Sequence, residues 1–162
     1  MAEEIMLNAE QNQHSELEDR YLLFYIQDML YSVELRYVIE IIAVQTATHL
    51  PNLPVYIKGI INLRGKVIPV IDMRLKLGLP EREYDDKTCI VVIDISDIHI
   101  GLIVDSVSEV VTISEAQISD TPSGDIAEKY ISSVSTNTDG CTILNIDSEK
   151  LFINDFGTIV AQ

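Results

Sequence analysis

The hydrophobic positions fall in short runs, each closed by polar or turn-forming residues. Residues 21–26 (YLLFYI) read as a strand, Gln27-Asp28 as a turn and residues 29–34 (MLYSVE) as the returning strand. Leu35, Val38, Ile39 and Ile42 have helical spacing, but β-branched residues crowd the stretch that follows. The balance predicts one helical turn near 35–38, then a strand from about 39 to 49. Two prolines stiffen the loop 50–54 (LPNLP). Two β-branched runs, 55–63 and 67–71, then flank Gly65-Lys66, which predicts a hairpin turning at those two residues. Pro69 lacks a ladder donor and predicts an edge strand or a bulge.

Further along, 73–79 reads as a short helix, and 81–87 is a charged connector. Residues 88–95 are almost continuously apolar, as in a strand buried on both faces. Ser96-Asp97 turns this strand into 98–104, and 106–113 gives another. The polar stretch 114–129 holds the loop signal Pro122-Ser123-Gly124-Asp125. Residues 130–136 and 141–146 form a last hairpin, and Asp147 caps a closing helix within about 147–154. About ten short strands with little helix predict an all-β barrel or sandwich, five strands lying before Glu81 and five after it. Residues 1–18 are acidic, without apolar periodicity, and read as a mobile tail.

Composition narrows the class. A chain of 162 residues, 47% hydrophobic, suits one domain or two small ones sharing a core. The net charge of −15 argues against nucleic acid and anionic membrane surfaces as partners. No apolar run approaches the ~18 residues of a membrane span, and the N-terminus lacks a secretory pattern, so a cytoplasmic protein is expected. Cys89 and Cys141 read as reduced structural thiols. Residues 1–20 carry six acids against one base, residues 21–80 four against six, and residues 81–162 sixteen against four. This asymmetry fits either solvated surface or two halves that face different partners.

No chemistry-bearing motif is present. Phosphate-binding glycine loops, CxxC, HExxH and GxSxG are all missing, and His14, His49 and His99 are dispersed. Asp72 and Asp105 follow apolar strands, where carboxylates normally accept backbone N–H bonds in turns. No catalytic, metal or cofactor site is expected. In the hairpin, Arg64 alternates with Leu63 and shares a face with Asn62 and Ile60. Among Asp28, Glu34 and Glu40, Glu40 is the best-placed acid, which predicts a partly buried Arg64–Glu40 salt bridge holding the turn 35–39 against the hairpin.

The run IKGIINLRG at 57–65, followed by VIPVIDMR at 67–74, closely resembles the signature of the CheW family, adaptors that couple bacterial chemoreceptors to the histidine kinase CheA. The similarity continues through 21–42, 84–122 and 130–151. It implies a CheW-like domain over 19–155, all-β, with two small five-stranded β-barrels packed around a shared hydrophobic core and short helical segments. The first barrel would cover about 21–80 and the second about 84–146. The resemblance implies a non-catalytic adaptor, cytoplasmic and recruited to membrane receptor arrays. Its first barrel would meet the regulatory domain of CheA, and its second barrel another copy of that domain. A groove between the barrels would receive the receptor's cytoplasmic tip, with the Arg64–Glu40 pair at its edge. Matching positions put Val38, Val107 and Val110 in the groove and Gly59 near the kinase surface. Taken alone, the same residues also read as ordinary barrel packing. A small-molecule-binding regulatory barrel is the alternative, and it requires an apolar pocket with convergent polar groups. The segment 136–140 (TNTDG) is more polar than the family's last hairpin.

Overall fold

The tight turns fall where the sequence tolerates left-handed backbone. Arg64 and Gly65 have φ of 53° and 83°, and Ser96 and Asp97 have 51° and 68°. Two successive positive φ values make the two-residue turn whose twist matches the flanking strands. The central hairpin therefore turns at Arg64-Gly65, not at Gly65-Lys66. Lys66 is already in the ladder opposite Leu63, and Asn62 Oδ1 accepts the Gly65 N–H at 3.1 Å.

The computed structural model describes residues 19–120 and 130–151. The acidic tail at 1–18, the loop 122–125 and the last residues of the closing helix lie outside them. The strands are β1 (Arg20–Ile26), β2 (Met29–Glu34), β3 (Val38–Ala43), β4 (Ile57–Leu63), β5 (Lys66–Asp72), β6 (Cys89–Ile95), β7 (Ile98–Val104), β8 (Ser106–Thr112), β9 (Ile118–Asp120), β10 (Ile131–Thr136) and β11 (Thr142–Ile146). A 3₁₀ turn, Leu35–Tyr37, joins β2 to β3, and helix α1 (Met73–Lys76) follows β5. Residues 148–151 are helical.

The strands form two sheets. The first has the order β8-β1-β2-β11-β10-β9 and the second β3-β6-β7-β5-β4. Neighbouring strands run antiparallel except β2–β11 and β5–β7, which are parallel. The protein is thus mostly β with few helices. Among the described residues no continuous ladder closes either sheet, and what the structure shows is two sheets of six and five strands. In the second sheet the edges nonetheless meet. Thr48, beyond the end of β3, exchanges both backbone hydrogen bonds with Ile60 on β4, at 2.8 and 2.9 Å.

Four expectations are corrected. The sheets do not divide the chain at the charged connector, because β6 and β7 join β3–β5 while β1 and β2 join β8–β11. A strand as apolar as β6 needs cover on both faces, and it finds that with Val91 and Ile93 in the main core and Ile90 and Val92 in the cluster on the other face. Six described strands, not five, follow the connector, since β9 lies inside the polar stretch. The strand predicted over 39–49 is β3 ending at Ala43, with pairing resumed only at Thr48. Pro69 is not on an edge: β5 lies between β4 and β7, and its pairing with β7 begins one residue later, at Val70.

The main core packs between the sheets, with Leu22, Phe24 and Val33 from the first against Ile57, Val91, Ile93, Ile100 and Leu102 from the second. Each sheet buries its other face too, around Leu23, Leu30 and Ile143 in one and Ile61, Ile68 and Val92 in the other. Lys76, itself buried, lies 4.0 Å from the Tyr56 ring and 4.3 Å from the Tyr130 ring, a cation–π contact with a residue leading into each sheet.

The connector is pinned by Tyr84, whose hydroxyl donates to Asp72 Oδ2 at 2.7 Å. Burial first, and then that hydrogen bond, pushes Tyr84 well above the ordinary phenol value of 10.0. The fold therefore prefers the neutral phenol. Its stabilising contribution is complete below the unfolded-state pKa and is lost as pH rises above it, when only the unfolded chain ionises readily. Urea midpoints measured at rising pH should fall above about pH 10, and fall less steeply in Tyr84→Phe. Equal slopes in the two proteins would show that Tyr84 is not the group responsible.

Candidate functional site

The chain passes between the sheets at two places. It leaves the first sheet for the second through Leu35–Tyr37 and returns through a single residue, Asp105, between β7 and β8. Val38 is the first residue after one crossing, and Val107 is the second residue after the other. Both are half-buried and pack against the main core. Val110 is further along β8 and 40% exposed. Tyr21 of β1 is opposite both Glu34 on β2 and Val111 on β8. Val110 therefore lies toward the end of the sheet where the chain turns into Val38. Val38 and Val107 are thus partial core near the two crossings, and Val110 is open surface further along β8. Ile39 and Ile41 on β3, each 43% exposed, add apolar surface that the sequence reading did not single out.

Arg64 and Glu40 are paired, with Nη2 3.1 Å from Oε2. Arg64 belongs to the turn rather than to the face shared by Ile60 and Asn62, and its side chain is 78% exposed against 21% for Glu40. Only the carboxylate end is covered. Such a pair is screened by solvent, so a double-mutant cycle on unfolding free energy should give a coupling of about 0.2–1 kcal/mol. A coupling well above this range would identify a buried brace.

Gly59 lines an apolar groove of about 460 Å³ on the β4–β5 hairpin, walled by Leu50, Leu53, Ile60, Val67, Pro69 and Ile98. Val67, in the lining of this groove, is 62% exposed. Gly59 itself has φ 138°, and a Cβ there would come within 2.0 Å of the Thr48 carbonyl oxygen. The sequence offered a hint of this groove in the Leu-Pro-rich loop beside the hairpin. It gave no sign that Ile98, the first residue of β7, would complete the wall.

The acidic groups at strand ends serve the fold. Asp72 Oδ1 accepts the Arg74 and Leu75 N–H groups at 2.9 and 3.3 Å, capping α1. Asp105 accepts Arg74 Nε at 2.9 and 3.0 Å on its two oxygens, and this bond raises the Arg74 pKa above its ordinary value. Among the described residues no three His, Cys, Asp or Glu side chains group as metal ligands would.

Two sheets packed around one apolar core, with an open apolar groove on one hairpin and no clustered metal ligands among the described residues, make a mostly β module. Comparison with known proteins gives it a family. The family model described as the CheW-like domain matches residues 20–155. The chemotaxis protein CheW of Bacillus subtilis is 40% identical over 106 residues, 65% of this chain and 68% of that protein. The chemotaxis protein CheW of Klebsiella aerogenes is 31% identical over 137 residues, 83% and 82% of the two chains. The crystal structure of the scaffolding protein TtCheW from Thermoanaerobacter tengcongensis aligns with a TM-score of 0.74 at 33% identity, over 80% of this chain and 88% of that one. The chain belongs to the CheW family, and it is a non-catalytic adaptor of chemotaxis signalling.

Proposed function

We propose that this adaptor couples membrane chemoreceptors to the histidine kinase CheA by offering each a separate surface. The receptor's cytoplasmic tip docks at the seam marked by Val38, Val107 and Val110. The kinase regulatory domain docks on the groove beside Gly59, and the Arg64–Glu40 pair stands at the rim of the receptor site. A second copy of the regulatory domain meets the sheet of β9–β11. The adaptor works in the cytoplasm, recruited to receptor arrays. Among the described residues no helix is long and apolar enough to cross a membrane, so the receptors would supply the membrane attachment. The observation that carries this reading is the open apolar groove with Val67 exposed in it, built from elements other than those that form the valine seam. A groove of this size, with Lys66, Asp97 and His99 in its lining, would also admit a small ligand, and that remains the second reading.

The test is capture of the purified CheA regulatory domain and of a receptor cytoplasmic fragment by the immobilised chain. Retention of both, each without displacing the other, is expected. Retention of neither would overturn the reading, and mutual displacement would mean the two surfaces are one.

A further inference from the structure

β8 carries two of the three valines proposed for the receptor site, and it is laddered to β1 from Ser106 to Thr112. Among the described residues it is an edge strand with β1 as its one ladder partner, and that ladder shifts register between Leu22 and Phe24. No loop precedes it, since β7 ends at Val104, β8 begins at Ser106 and Asp105 alone joins them. The chain therefore changes sheets at Asp105 itself, one residue before the β1–β8 ladder begins at Ser106.

Asp105 is held from three sides. Its own N–H donates to the Tyr25 carbonyl at 3.1 Å. Its Oδ2 accepts the Gln27 N–H in the β1–β2 turn at 2.8 Å. Both of its oxygens accept Arg74 Nε from α1, and the two side chains are only 13% and 15% exposed. Arg74 is fixed in turn by Nη1 donating to the Pro80 carbonyl at 3.4 Å, and Arg82 Nη1 approaches Asp105 to 3.7 Å. A covered, charge-assisted contact of this kind holds geometry far better than an exposed pair.

We infer that Arg74 and Asp105 are positioning residues for receptor binding: together they set the direction of β8 and so the placement of Val107 and Val110 at the seam. Neither residue needs to touch the receptor. The inference rests on the receptor site proposed above. It deepens that proposal by naming the pair, outside the site, on which the site's geometry depends.

Asp105→Asn keeps an oxygen for the Gln27 N–H and removes the charge that engages Arg74. Arg74→Lys keeps the charge but cannot reach Asp105 and the Pro80 carbonyl in the same planar geometry. In both variants the affinity for a receptor cytoplasmic fragment should fall about tenfold, while affinity for the CheA regulatory domain changes by less than about twofold. Backbone amides of β8 should exchange faster with solvent deuterium, and those of β4 and β5 should not change. Unchanged receptor affinity, or a matched loss of both affinities, would overturn the inference. So would global unfolding of both variants, which would show a pair that only holds the fold. If the unmodified chain binds no receptor fragment, the receptor reading fails instead. The exchange pattern of β8 then judges the clamp by itself.

Discussion

Replacing Gly59 with alanine should lower the unfolding free energy by about 3 kcal/mol or more and remove kinase binding. The methyl group would sit 2.0 Å from the Thr48 oxygen and 2.6 Å from its carbonyl carbon, both of them backbone atoms that no rotamer change can move. The backbone at φ 138° is strained for any residue with a Cβ. Relief requires Thr48 to withdraw from Ile60, which breaks the bridge joining the two edges of the second sheet. That bridge also holds the end of the segment leading into Leu50 and Leu53, so the groove wall should move with it. Gly65→Ala is the control. It too has positive φ, but nothing lies within 4 Å of its added carbon, and the cost should be about 1–2 kcal/mol. Urea unfolding of both variants measures the difference. Equal losses would mean that backbone conformation, not the Thr48 contact, is what Gly59 serves.

The second large effect is expected at Val38. Val38→Asp places a carboxylate where a half-buried side chain packs against the main core at the start of β3. Partial exposure lets the charge reach water, so the fold should survive with a loss of about 1–3 kcal/mol. Receptor affinity should fall at least about tenfold, since a charge at an apolar seam must be desolvated on docking. Kinase affinity should hold, because the groove is built from β4, β5, the loop before β4 and the β6–β7 turn. Calorimetry with each partner, alongside a melting curve, decides the matter. If the variant unfolds, or loses both partners together, Val38 is core rather than surface.

These two residues also mark how far the sequence could be read. Strand positions and turn chemistry were legible because they are local: alternating or continuous apolar runs require pleated backbone, and residues such as Gln27, Gly65 and Asp97 permit the turns. The docking class was legible from the IKGIINLRG–VIPVIDMR run and from the lack of clustered reactive groups. Even the Arg64–Glu40 partnership followed from counting the acids that the first half offers. What remained hidden was everything decided by which strand lies beside which. The parallel pairs β2–β11 and β5–β7 join residues more than twenty positions apart, and no local pattern specifies them. They send β6 and β7 to the sheet of β3–β5, against the division suggested by the charged connector. The exposure of Arg64 followed from a turn one residue earlier than the glycine alone implied. The burial of Asp105 against Arg74 required a crossing of one residue between two sheets. Backbone preference and side-chain polarity act over a few residues and are written in the sequence. Register, crossing points and the cover over each face arise only when distant apolar surfaces find one another, and that is where the seam and the groove were made.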